Sequence, residues 1–251
     1  MGYRTYPCGS VLDQVQDLRL ASQELVERYP RICQQETDMG VCIMGHSSGA
    51  HIGFLMVAEY TCQRMMQLEE VLQKQAKTKI TSSMAAGLDL DTGMRIDSFV
   101  GISGPYNISH HFDYEASQGL EEISPMKAAC GFSREEFRKL SPALRIVDCM
   151  SVWSQECEKR ALDNILPQIV LLHGIEDDVV PFTSTAEAAS LLRSCGVMKL
   201  REIYFAKTAH NECVTQIMMG GIVRDALMDC LQNSSKSTTS KMADLVIQSR
   251  L

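Results

Sequence analysis

Hydrophobic positions along this chain follow two rhythms. From Ser10 to Arg28 they recur at helical spacing, with Val11, Val15, Leu18, Leu25 and Val26 in register, and Ser10 with Asp13 forms a capping-box pattern. That stretch predicts a helix. Four shorter runs read as strands: Met39–Met44, "IDSFVGISG" at Ile96–Gly104, "QIVLLHG" at Gln168–Gly174 and "LREIYF" at Leu200–Phe205. Helical patterns separate them. One runs from Ser48 toward Glu69–Gln73 and carries Ala50, Ile52, Phe54, Leu55 and Met56. A second spans Thr185–Cys195 and closes on Gly196, and a third spans Val214–Leu231.

The segments between are polar or irregular. Lys74–Met94 reads as a connecting loop or a fraying helix end, and residues 105–166 as a cap-like run of helix and turn without a strand. Strands alternating with helices predict an α/β fold with a mostly parallel sheet. One domain over residues 1–232 is expected, followed by a polar, mobile tail at 233–251. There is no internal repeat.

Composition narrows the function classes. With 251 residues, 45% hydrophobic and 22% charged, the chain has enough apolar mass for an ordinary core. The formal net charge of −7, with no Lys/Arg stripe against it, argues against a nucleic-acid partner. No apolar run approaches the roughly 18 residues that a bilayer crossing needs. The opening "MGYRTYPCGS" lacks the apolar core of a secretory signal, and Tyr6 stands where a myristoylation site wants Ser or Thr. The 10 cysteines form no CxxC pair and read as reduced, mostly buried small hydrophobes, which suits a cytoplasmic setting. No cluster has metal-ligand spacing.

Candidate chemistry sits at the strand ends, where parallel sheets gather their functional groups. The first strand ends in "GHSSG", a G-x-S-x-G pattern centred on Ser47. Alone it is a weak signal, because any Gly/Ser-rich turn supplies it. The third strand ends in "HGIEDDVVP", which places Asp177 in the following turn, and the fourth in "YFAKTAHNE", which places His210 before the last helix. Singly, Asp177 or its neighbour Asp178 reads as a turn acid and His210 as a surface residue. Together, the order nucleophile, acid, base resembles that of an α/β-hydrolase. A serine hydroxyl is a poor nucleophile without a base, so His210 would take its proton, and Asp177 would fix the imidazole tautomer. His46 and His51 read as packing or hydrogen bonding at the turn, His173 as support for the Asp177 loop, and His110 and His111 as surface residues of the cap.

These motifs resemble a family. "GHSSGAH" is similar to the G-[HQ]-S-A-G-A-H elbow of isoprenylcysteine methylesterases and the related arylformamidases, with Ser48 replacing their Ala. "GISGPYNISHHFDYEASQGLEEISP" with "LSPAL" at Leu140–Leu144 resembles the methylesterase segment that follows the next strand, which is the more specific match. The resemblance implies a cofactor-free serine esterase with Ser47, Asp177 and His210 as its triad and the Ser48 N–H as one oxyanion donor. The implied substrate is a small ester or the carboxyl methyl ester of a prenylated protein C-terminus.

"YRTYP" at Tyr3–Pro7 resembles the Y-R-x-x-P that follows the fourth strand of these enzymes. The strands before it, and the His-Gly-Gly loop that gives the second oxyanion donor, have no counterpart here. The expectation is an N-terminally incomplete α/β-hydrolase fold whose first strand is left as a bare apolar edge. A longer form would reach endoplasmic reticulum or Golgi membranes through the missing segment. Alternatives are an arylformamidase or general carboxylesterase, and a catalytically weak hydrolase-like binding protein.

Overall fold

A computed structural model of the chain describes residues 2–30, 41–78, 94–152 and 165–236. Helix α1 (Val11–Arg28) opens on the capping box that its sequence announces. The Ser10 hydroxyl accepts from the Asp13 N–H, and the Asp13 carboxylate accepts from the Ser10 N–H at 2.9 Å. Strands β1 (Val41–His46), β2 (Ile96–Ile102), β3 (Gln168–Gly174) and β4 (Leu200–Phe205) form one parallel sheet in the order β1-β2-β3-β4.

Both faces of that sheet are covered, so its central strands are apolar throughout rather than alternating. Phe99 of β2 and Ile169 and Leu171 of β3 face one core. Helix α2 (Ser48–Thr78) joins it through Phe54 and Val57, α6 (Pro142–Val152) through Ile146, and α7 (Thr183–Ser194) through Ala188 and Leu192. Val100, Ile102, Val170 and Leu172 face the opposite core, closed by Cys213 of α8 (His210–Met219) and by Val223 and Leu227 of α9 (Ile222–Lys236). The cap-like segment holds α3 (Ile108–Ser117), α4 (Pro125–Cys130) and α5 (Arg134–Lys139) ahead of α6, and no strand among the described residues. No described helix is long and apolar enough to cross a membrane.

Helix α2 continues to Thr78, so of the two readings for the start of Lys74–Met94, loop or helix end, residues 74–78 take the helical one. Their Lys, Gln and Ala are good helix formers, whatever their polarity. The remainder of the expected loop, 79–93, lies outside the described residues, as does the tail from 237. Helix α7 starts at Thr183, two residues early. The expected single closing helix is two, because Gly220 and Gly221 take φ of +100° and +157° and break it. Among the described residues β1 pairs only with β2, and Met44 is 53% exposed.

His51, in the first turns of α2, ties that helix to the cap. Its ring is buried, and Nε2–H donates to the Leu140 carbonyl at 2.7 Å. Burial pushes its pKa down to about 4, so the neutral form is the folded one. Unfolded, the same ring titrates near 6.5. The unfolded chain therefore binds the extra proton between those values, and stability rises with pH across that window. Acidification from pH 6.5 to 4 should cost about 3 kcal/mol through this group alone. Denaturant unfolding at stepped pH should show the loss, and His51→Gln should flatten the slope.

Candidate active site

The site begins with a steric constraint at the β1–α2 turn. A Cβ on Gly45 would stand 2.2 Å from the Gly49 carbonyl oxygen, so only glycine lets the strand meet the helix this closely. Ser47 bridges them with φ of +54°, the left-handed region that non-glycine residues seldom adopt. Its N–H donates to Ile102 O at 2.9 Å, and its carbonyl accepts from Ala50 and His51 N–H, so both neighbouring elements hold the strained residue in place. The helix N-terminus that follows favours negative charge.

Asp177 and His210 meet across two loops. His210 Nδ1 donates to Asp177 Oδ2 at 2.7 Å, and both side chains are buried. The loops are held close because Gly174, at the end of β3, lets the Thr208 carbonyl approach; a Cβ there would stand 2.1 Å from that oxygen. The other Asp177 oxygen accepts from the N–H groups of Val179 and Val180, at 3.1 and 2.8 Å. Burial alone would raise the Asp177 pKa. The hydrogen bonds from His173, His210 and Val180 outweigh it and hold the carboxyl well below the usual range, so the group is a carboxylate.

Two further histidines hold this pair. His46, the residue before Ser47, has Nε2 3.1 Å from the His210 carbonyl, and the two rings lie 4.6 Å apart. Burial, with His210 close by, lowers its pKa and favours the neutral ring that donates from Nε2. His46 thus carries the elbow's position directly to His210. His173 is fully buried; its Nε2 faces Val180 O at 2.8 Å and Asp177 Oδ2 at 3.3 Å, and Nδ1 meets Thr185 Oγ1 at 2.7 Å. The sequence reading of both as supporting residues agrees with these contacts, though which group His46 holds was not legible from its place beside Ser47.

Ser47 is half-buried, follows the His46 that contacts His210, and among the described residues makes no hydrogen bond to His210. Ser48 is exposed at the first position of α2, and its Oγ lies 3.0 Å from the Tyr3 hydroxyl. The expectation for His111 is corrected: the ring is buried against Glu115, with 8% exposed, whereas His110 is at the surface and pairs with Glu187 at 2.6 Å. A cavity of about 250 Å³ lies between His110, Tyr114, Ser184 and Pro181, at the far end of the Asp177 loop. Tyr114 fastens to that loop by donating to Asp178 O at 2.8 Å. A larger cavity, about 670 Å³ and lined by Leu12, Cys62, Cys130 and Arg145 among others, includes none of these residues. Among the described residues no three His, Cys, Asp or Glu gather where a metal could be held.

This architecture is that of an α/β-hydrolase fold, and solved structures with it superpose over nearly the whole chain. Esterase B from Lactobacillus rhamnosis matches with a TM-score of 0.60 at 14% identity, covering 95% of this chain and 66% of its own. A truncated carbohydrate esterase from gut microbiota matches with a TM-score of 0.58 at 18% identity, covering 94% and 73%. In sequence, the chain is similar to a probable isoprenylcysteine alpha-carbonyl methylesterase of Oryza sativa subsp. japonica, 26% identical over 232 residues, 90% of this chain and 47% of the relative. The isoprenylcysteine alpha-carbonyl methylesterase of Arabidopsis thaliana is 26% identical over 234 residues, 91% of this chain and 46% of its own. The chain spans about half the length of these curated relatives. No family model matches it.

The two glycines of the elbow should respond differently to substitution. Gly45→Ala puts a methyl group into backbone and should destabilise at the upper end of the about 1–3 kcal/mol typical of overpacking. At Gly49 the nearest atom to an added Cβ is the Tyr3 hydroxyl at 3.9 Å. Gly49→Ala should therefore be neutral or stabilise by up to about 1 kcal/mol, because it lowers unfolded-state entropy. Thermal unfolding of the two variants checks both signs.

Proposed function

We propose that the chain carries the catalytic core of a serine carboxylic-ester hydrolase, acting on carboxyl methyl esters of prenylated cysteine. The carrying observation is the buried, ionised Asp177 bonded to His210, whose backbone is tied through His46 to a strained Ser47. In this reading Ser47 Oγ attacks the ester carbonyl while His210 Nε2 takes its proton. Asp177 keeps the Nδ1 proton on the far side of the ring and stabilises the imidazolium that forms. The Ser48 N–H, at the start of α2, donates to the oxyanion. His210 then returns its proton to the departing methoxide, methanol leaves, and water repeats the sequence to free the acid.

The substrate class draws on the curated relatives' names and on the apolar character of the rim. Ile175 and Val179, on the loop that carries Asp177, are 46% and 51% exposed. An apolar substituent beside the ester would cover them. A second reading, a hydrolase-like binding protein with little turnover, draws on the absence of a Ser47–His210 hydrogen bond.

A fluorophosphonate probe separates the two. The esterase reading expects covalent labelling of Ser47, lost in Ser47→Ala and slowed at least about 10³-fold in Asp177→Asn, where the imidazole tautomer is wrong. A folded chain that stays unlabelled would refute it. Hydrolysis of a prenylcysteine methyl ester should exceed that of N-formylkynurenine and of a short aryl ester. Preference for either of those assigns an arylformamidase or a general carboxylesterase instead.

A further inference from the structure

We propose that the Tyr3 hydroxyl is the side-chain donor of the oxyanion site, acting beside the Ser48 N–H. The inference rests on the serine-hydrolase reading and adds a catalytic residue to it. The Tyr3 hydroxyl lies 3.0 Å from Ser48 Oγ, and it is the nearest atom to the open space over Gly49, at 3.9 Å from a Cβ built there. The phenol thus reaches the end of α2 where the first N–H groups of the helix have no carbonyl partner within it. Those are the groups toward which an oxyanion on a Ser47 adduct would turn.

Tyr3 is held there from two directions. Its ring packs on the cluster of Val11, Val15, Ile52 and Leu55, so α1 and the first turns of α2 fix its depth. The backbone on its C-terminal side is pinned by Arg4, whose N–H donates to Asp17 Oδ2 at 2.9 Å while its guanidinium donates to the same carboxylate from Nη2 at 2.7 Å and from Nε to both oxygens at 3.0 and 3.1 Å. The next turn is closed by Cys8 N–H donating to Thr5 O at 2.8 Å. This positioning restricts the phenol before any substrate arrives, which is what a preorganised donor requires.

Ser48 has a role in the same device. When its hydroxyl donates to the Tyr3 oxygen, the phenol's own proton is left free to point over Gly49. One hydrogen bond to the tetrahedral adduct forms from Tyr3 and one from the Ser48 N–H; no proton is transferred, and the negative charge stays on the substrate oxygen. The pair thus offers one backbone and one side-chain donor.

Tyr3→Phe removes only the hydroxyl and tests the assignment. Three quantities are measured: kcat and KM on a short aryl ester, inhibition by a trifluoromethyl ketone that forms an oxyanion with Ser47, and thermal stability. The proposal expects kcat to fall about 10²-fold, inhibitor affinity to fall in parallel and KM to stay within about twofold. Ser48→Ala should lower kcat less, and in the Tyr3→Phe background it should add nothing, since both act through one hydroxyl. Wild-type kcat in Tyr3→Phe, or loss of thermal stability and KM without loss of inhibitor affinity, overturns the proposal and leaves the hydrolase reading standing. A wild-type chain that neither turns over nor labels at Ser47 overturns both. If Tyr3→Phe does not fold, the exposed Ser48→Ala decides alone: unchanged kcat and inhibitor affinity reject the device.

Discussion

The approach of Gly45 to the carbonyl of Gly49 is the contact on which the candidate site depends. A strand and a helix that meet without room for one methyl group leave a single path for the residues between them. That path forces Ser47 to a φ of +54° and starts α2 directly behind it. Strain of this kind, of order 1–3 kcal/mol, persists only where the surroundings over-determine the backbone. Here the surroundings are the Ile102 carbonyl, the α2 amides and the buried first turns of α2, from Ala50 to Phe54.

From that turn the order of the site propagates through histidines rather than through charge. His46 touches His210, His210 touches Asp177, and His173 supports the loop beneath Asp177. A carboxylate buried among donors is stabilised as an anion by N–H groups that cannot leave it. The surface ion pairs that lace the periphery, such as Lys127 with Glu122, sit in water and contribute little by comparison. The site thus combines neutral hydrogen bonds from His46 and His173 to backbone and hydroxyl oxygens with charge-assisted ones to the Asp177 carboxylate, and the latter outweigh the burial that would protonate it.

Much of this was legible in the chain because it follows from local rules. The apolar runs located all four strands to within a few residues, and Ser10 with Asp13 marked the first helix start. The order of Ser47, Asp177 and His210 at three strand ends was enough to suggest that they converge, and the fold brings Asp177 and His210 into contact. What the sequence hid was long-range or set by a single backbone angle. The break at Gly220–Gly221 looked like a continuous helix, since one glycine pair does not erase the apolar period around it. His111 read as a surface residue of the cap, whereas its ring is buried against Glu115 and Tyr114 one turn along its own helix. Tyr3 lies 45 residues from Ser48, so no local pattern could have joined them.

Among the described residues β1 has one strand neighbour, which sets the mechanical position of the elbow. In an interior strand, the residue that precedes a nucleophile turn is clamped by ladders on both sides. Here, among the described residues, the clamp is one-sided, ending in the rung from Ser47 N–H to Ile102. Local opening of an outer strand costs less than global unfolding, and amide exchange reports that difference directly. Among the described residues, the turn that holds Ser47 therefore leans on β2 alone, while Asp177 follows β3, a strand paired on both sides. The two halves of the site have separate thermodynamic allegiances, and anything that pairs with the free side of β1 bears first on the half that carries the serine.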